Sequence, residues 1–343
     1  MPTFPETLPK LLEDPLWADQ PFWLLNFFEF KRDAEGNADE ARASFQRYLS
    51  SARRFSAQMR GSDVWFEGAR LVSTRCLSAF PESHGVWDAV VLYEYDSPKT
   101  LMDMVVSNPD YENAAQDRFA AEVQTTQVAV KPTLLTTEHG SIDAATSAQA
   151  EAYADWFWQQ SLPGKNAQAS DEPQTIYPDP DTLMAQFAPG PNQRLNPESS
   201  LLALNLLRYK RSPEVPDGRS LYYEYARRIQ AIILEHIPQP SGLRCCVAPC
   251  MTLNGDTEWD EFGIMEYPAL TALAGLGGLP GAEEAVEFRQ KGLQAQGLVL
   301  AEPQLCNGFA EGSFRAGSDE DSIALAAPCP APLQPLPRAE QDS

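Results

Sequence analysis

Glu261 is the first residue to weigh for chemistry. It lies in W-D-E-F-G-I-M-E-Y at 259–267, and the same frame occurs earlier as W-D-A-V-V-L-Y-E-Y at 87–95. Ala89 stands where Glu261 does, so only one copy carries the acid. A strand carboxylate turned inward beside Tyr209 or Tyr267 would have a raised pKa and could act as a base. The residue also fits a rim position, or a pair with Arg244 or Arg289. His84, in the loop before the first copy, is the other acid–base candidate; an exposed loop histidine is its plainer account.

Other positions could hold a ligand. Asn26 and Asn205 match across two copies of a strand and could hold a carbonyl or hydroxyl; a structural hydrogen bond would occupy them equally well. Arg118 and Arg289 also match, and either could meet an anionic group or pair with an acid of its own unit such as Asp88 or Glu94. Histidine is limited to His84, His139 and His236, with no metal-ligand spacing among them. Cys245 and Cys246 are adjacent on a strand, point to opposite faces and do not readily share an ion. There is no phosphate loop and no nucleophile elbow. The expectation is therefore no cofactor and no metal.

These residues belong to a repeated frame. L-N-F-F-E-F-K-R (25–32) returns as L-N-L-L-R-Y-K-R (204–211), Asn108-Pro109 is echoed by Leu279-Pro280, and Arg118 by Arg289. The markers keep their order, which reads as an internal duplication. In the first copy, strands are expected near 22–31, 63–72, 87–95 and 126–131. Helices are expected near 39–59 and after Ser97-Pro98, with Ser97 as N-cap. The order is β-α-β-β-α-β, a ferredoxin-like unit, and the second copy repeats it. The expected organisation is an extended lead-in (1–21), a first unit (22–135), a Pro/Gly-rich insert with an aromatic helix (136–200), a second unit (201–312) and a disordered acidic, Pro-rich tail (313–343).

Composition narrows the partners. The 343 residues carry a formal charge of −22, which argues against nucleic acid and anionic membranes. No apolar run approaches a membrane span and the start lacks a signal pattern, so the expected location is cytoplasmic. Six cysteines are too few for a disulfide framework at this length.

The L-N-L-L-R-Y-K strand, the helices bearing Tyr48 and Tyr225, and the W-D…E-Y strand resemble a domain-of-unknown-function branch of the dimeric α/β-barrel superfamily. The resemblance covers roughly 22–132 and 201–303. It implies an α+β fold in which two tandem units pair sheet to sheet as an intramolecular barrel, giving a monomer (a pseudo-dimer) or a homodimer. It further implies small-molecule binding in the barrel, by cofactor-free monooxygenases, isomerases or cyclases acting on aromatic, polyketide-like or lactone substrates. Some relatives bind haem through a helix histidine; here His236 ends a helix, where C-terminal capping is the blander account. The alternative is a non-catalytic binding or structural protein. If the aliphatic Val90 and Leu92, with Phe262 and Ile264 in the second copy, face the helices, alternation turns Trp87, Tyr93, Trp259, Glu261 and Tyr267 into the barrel, with Asn26, Asn205 and Tyr209 from the first strands.

Overall fold

The computed structural model describes residues 8–18, 22–59, 69–71, 75–79, 87–95, 97–131, 201–215, 217–237, 245–255 and 257–302. His84, His139, Arg244, the insert and the tail lie outside them.

Among the described residues nine strands form one antiparallel sheet. They are β1 (Phe22–Phe30), β2 (Ala69–Leu71), β3 (Arg75–Ala79), β4 (Ala89–Tyr95), β5 (Glu122–Val130), β6 (Leu201–Tyr209), β7 (Cys245–Asn254), β8 (Glu261–Tyr267) and β9 (Leu293–Glu302). The helices are α1 (Leu8–Glu13), α2 (Asp39–Met59), α3 (Pro98–Ser107), α4 (Pro109–Ala121), α5 (Gly218–His236), α6 (Leu270–Gly275) and α7 (Ala282–Gly292). The spatial order is β2-β4-β1-β5-β7-β8-β6-β9-β3. Four of the five strands before residue 132 thus run 2-4-1-5 and the four after residue 200 run 7-8-6-9, the same permutation twice, while the fifth, β3, stands at the outer edge of β9. β5 pairs with β7 through Val128–Thr252 and neighbours, and β9 pairs with β3 through Ala301–Cys76 and neighbours.

Local chemistry explains the helix starts. Ser97 accepts the Thr100 N–H at 3.3 Å with Pro98 in the first turn, as expected of that cap. Asn108 accepts the Asp110 N–H at 3.0 Å ahead of Pro109, so α3 and α4 are two helices rather than one. Helix α2 runs Asp39–Met59 and lays Phe45, Tyr48, Leu49, Ala52 and Phe55 against the sheet.

Two expectations about elements change. The strand expected at 63–72 overlaps β2 at 69–71, its other residues lie outside the described ones, and a further strand, β3, follows at 75–79. Residues 8–13 of the lead-in are helical rather than extended: Leu8 and Leu11 share one side of α1, and with Trp17 they are at most 1% exposed in the core above the first strands. Their three-residue spacing gives a short helix an apolar side, which outweighs the local prolines.

Both faces of the sheet are buried, and this settles which way the side chains point. Phe22, Leu24, Phe28, Phe30, Ala89, Val91, Tyr93 and Tyr95 pack under α2, α3 and α4. Trp23, Leu25, Phe27, Val90 and Leu92 pack on the other face with Leu202, Leu204, Leu206, Phe262 and Ile264, joining strands from both sides of the insert. The alternation proposed from sequence is therefore reversed. The aliphatic set meets its counterpart on the inner face, and Asn26, Tyr93, Asn205, Tyr209, Glu261 and Tyr267 lie on the helix side. Trp87 and Trp259 do join the inner cluster, because the chain breaks step at Asp88 and Asp260.

Candidate functional site

The break in step has a cause that repeats. Asp88 Oδ2 accepts the Phe30 N–H at 2.8 Å and Oδ1 accepts from Arg32 at 2.7 Å. Asp260 does the same for the Tyr209 N–H at 2.9 Å and Arg211 at 2.7 Å. The lysines before those arginines repeat too: Lys31 Nζ donates to Phe119 O and Lys210 Nζ to Gln290 O, each at 2.7 Å, at the ends of α4 and α7. The duplicated W-D and K-R pairs are thus a structural clasp between strand ends and helix ends.

That clasp sets Glu261 at the start of β8, facing α5. Its carboxylate is 0% exposed. Oε1 accepts from Arg219 Nε at 2.8 Å, Oε2 accepts from the Tyr209 hydroxyl, and the Tyr223 hydroxyl lies 3.3 Å from both oxygens. Arg219 and Tyr223 come from the first turns of α5, four residues apart on one side, with the guanidinium 4.4 Å from the Tyr223 ring centroid. The helix can come this close because Gly218 and Gly292 meet backbone to backbone. A Cβ on Gly218 would sit 2.3 Å from Gly292 O.

Burial raises the Glu261 pKa; Arg219 and the Tyr209 hydrogen bond act against it. Burial likewise pushes the Tyr209 and Tyr223 phenols well up, so they remain proton donors. A carboxyl group able to carry a proton, two phenols and a fixed cation therefore converge at one point. That set can exchange a proton and hold the anion left behind. The sequence pointed to Tyr209 beside Glu261. It missed Arg219 and Tyr223, for which only the i,i+4 spacing next to Tyr222 was a signal.

The amides are occupied by neighbouring strands. Asn26 Oδ1 accepts from Gln127 Nε2 at 2.7 Å and Nδ2 donates to Leu24 O at 3.2 Å. Asn205 Oδ1 accepts from Gln296 Nε2 at 2.5 Å, and Gln296 Oε1 in turn accepts from Arg289 Nε at 3.0 Å. Arg289 lies 5.4 Å from the Tyr225 ring centroid, and burial pulls its pKa down to about 9. Arg118 pairs with Glu122 at 2.9 Å, not with Asp88, and Glu122 also accepts from Thr125. Burial works against the Arg118 charge, but Tyr48, Glu122 and Tyr111 outweigh it and hold its pKa up.

Tyr93 joins Tyr48, Tyr95 and Tyr111 around Arg118, their phenol pKa values raised chiefly by burial. Tyr267 packs with Leu201 and Ile229 under α5. Trp87 lies 5.8 Å from Phe27, ring to ring, in the inner cluster that also holds Trp259. The structure thus gathers Glu261 and Tyr209 but keeps Asn26, Tyr93, Arg118, Trp87 and Trp259 in other clusters.

Among the described residues no group of three or more His, Cys, Asp and Glu side chains is placed to hold a metal ion. No helix among them is long and apolar enough to cross a membrane.

No protein-family model matches the sequence, and no curated protein matches it significantly. Three solved structures illustrate the shapes to which it is similar. One, from Lactobacillus acidophilus and provisionally described as a monooxygenase, has 10% identity over 82% of this chain and 93% of its own, with a TM-score of 0.40. An anthrone oxidase-like protein has 9% identity, 83% and 92% coverage and a TM-score of 0.39. A chlorite dismutase variant from Candidatus Nitrospira defluvii has 7% identity, 87% and 95% coverage and a TM-score of 0.38. Likeness at that level speaks neither to residue roles nor to a reaction.

Proposed function

We propose that this chain is a small-molecule-binding protein built from two tandem ferredoxin-like units, 22–135 and 201–312, closed on each other as one barrel, with Glu261 as its proton-handling group. The closure is supported by β2 and β3, which stand at opposite ends of the strand order with only residues 72–74 between them. A single polypeptide then does the work of a dimer.

One observation carries the functional reading: a fully buried carboxylate of raised pKa shared by Arg219, Tyr209 and Tyr223. The Tyr223 contacts with Glu261, both 3.3 Å, are the longest in the cluster, while the same hydroxyl accepts from Arg219 at 2.9 Å. A ligand atom bearing a proton would replace them at least cost. The substrate class is a partly apolar molecule with an acidic C–H or O–H beside a carbonyl, with Arg219 steadying the resulting anion. Native mass spectrometry of protein purified from its own cell extract tests this. The expected result is a retained mass that is lost in Glu261→Gln and weakened in Tyr223→Phe. Equal retention by all three proteins would end the assignment.

A second reading, a non-catalytic structural or interaction protein, is favoured by the inner face. Every residue of that cluster, large aromatics included, is at most 3% exposed, which supports reading the described inner face as packed core. It places no ligand between the sheets, and under it the Glu261 cluster is a buried ion pair alone.

A further inference from the structure

Lys131 follows β5 directly and takes no part in the site around Glu261. Its N–H donates to Pro249 O at 2.8 Å, which fixes it where β5 meets β7. Val128 and Val130 lie on the inner face and Ala129 on the helix face, so alternation carries Lys131 to the helix side. There the residue is 0% exposed, and its Nζ has no hydrogen-bond partner among the described residues. The lead-in lies over it: the Trp17 ring centroid is 5.3 Å from Nζ, in a core shared with Leu8 and Leu11. Asp14, on the same segment, is the acid whose charge reaches the amine.

An ammonium group without acceptors is costly to bury. Burial accordingly draws the amine down to about 7, with Asp14 opposing. A primary amine that is about half neutral at pH 7, set beside an indole and away from water, is the form of lysine that attacks carbonyl carbon.

We propose that Lys131 is a covalent capture site for small apolar aldehydes or ketones, entered when segment 8–18 lifts from the sheet. The Nζ lone pair adds to the carbonyl carbon, a proton passes from nitrogen to the carbonyl oxygen, and loss of water leaves an imine. No oxidant or reductant is consumed. The surroundings dictate the ligand class: Trp17 offers apolar contact, and Asp14 stabilises the iminium formed on protonation.

The test uses the full-length protein near neutral pH with benzaldehyde and cyanoborohydride, followed by peptide mapping. Lys131 should be benzylated about tenfold or more faster than the exposed Lys10, Lys99 and Lys291, because ordinary lysines stay protonated below a pKa of about 10.4. Trp17→Ala should raise the Lys131 rate further, and Lys131→Met, checked for unchanged circular dichroism, should remove the fast adduct. Labelling of Lys131 no faster than Lys99 overturns the proposal. So does a fast adduct that survives in Lys131→Met, or a Lys131 left unlabelled in both wild type and Trp17→Ala.

Discussion

Arg32 and Asp88 meet at 2.7 Å at the end of β1, and Arg211 and Asp260 meet at 2.7 Å at the end of β6. Each carboxylate also takes a strand N–H that would otherwise be buried without a partner. Asp88→Ala and Asp260→Ala should each cost about 1–3 kcal/mol, the penalty of an orphaned buried donor. The β5–β7 and β3–β9 pairs make the sheet continuous, so both substitutions should shift one common urea transition. Two separated transitions would show that the two sides of the insert unfold independently.

Glu261 and Arg219 form a buried pair whose side chains are 0% and 8% exposed. Glu261→Ala or Arg219→Ala alone should cost about 3–5 kcal/mol, because each leaves the other charge uncompensated. Glu261→Leu with Arg219→Met should recover most of that loss. A double variant as unstable as the sum of the singles would mean that the two groups do not act as a pair.

Gly218 has no room for a side chain: its Cβ would come within 2.3 Å of Gly292 O and 2.7 Å of Lys210 N. Gly218→Ala must push α5 off the sheet and carry Arg219 away from Glu261. Overpacking of this kind costs about 1–3 kcal/mol. If the ligand reading holds, retention should fall as well, and a native mass spectrum of the variant reads both effects. Full stability with full retention would mean that the close approach of α5 and α7 is not required.

The repeat in the sequence was legible because it is written in local markers: W-D, K-R, and an Asn within a buried strand. Their partners were not, since Asp88 meets Arg32 across 56 positions of sequence. The strand faces were misread for a physical reason. β1 is buried on both sides, so hydrophobicity alone does not say which side meets helices. The deciding difference lies in the tyrosines. Tyr93 and Tyr95 sit toward the helices, in the field of the Arg118 charge, while Val90 and Leu92 need only apolar neighbours. Glu261 stood out as an acid in one copy only. Arg219 and Tyr223 reach it from a helix whose spacing to β8 no local pattern encodes.

Glu261 and Lys131 should give stability opposite dependences on pH. The Glu261 pKa is raised above 4.5 in the folded state, so the folded form holds its proton more tightly. That contribution is complete below pH 4.5 and is lost as pH climbs through the raised value. The Lys131 pKa falls from 10.5 to about 7, so the folded form binds fewer protons. Its contribution is complete above 10.5 and is lost as pH drops toward 7, by at most about 1.4 kcal/mol per unit. Relative to wild type, Glu261→Gln should therefore become more favourable as pH rises from 4.5. Lys131→Met should become more favourable as pH falls from 9.5 to 7. Urea midpoints of the three proteins at pH 5, 7 and 9 measure both trends. A Lys131→Met difference that is flat between 7 and 9 would mean the amine is solvated in the folded protein, which removes the basis for its reactivity.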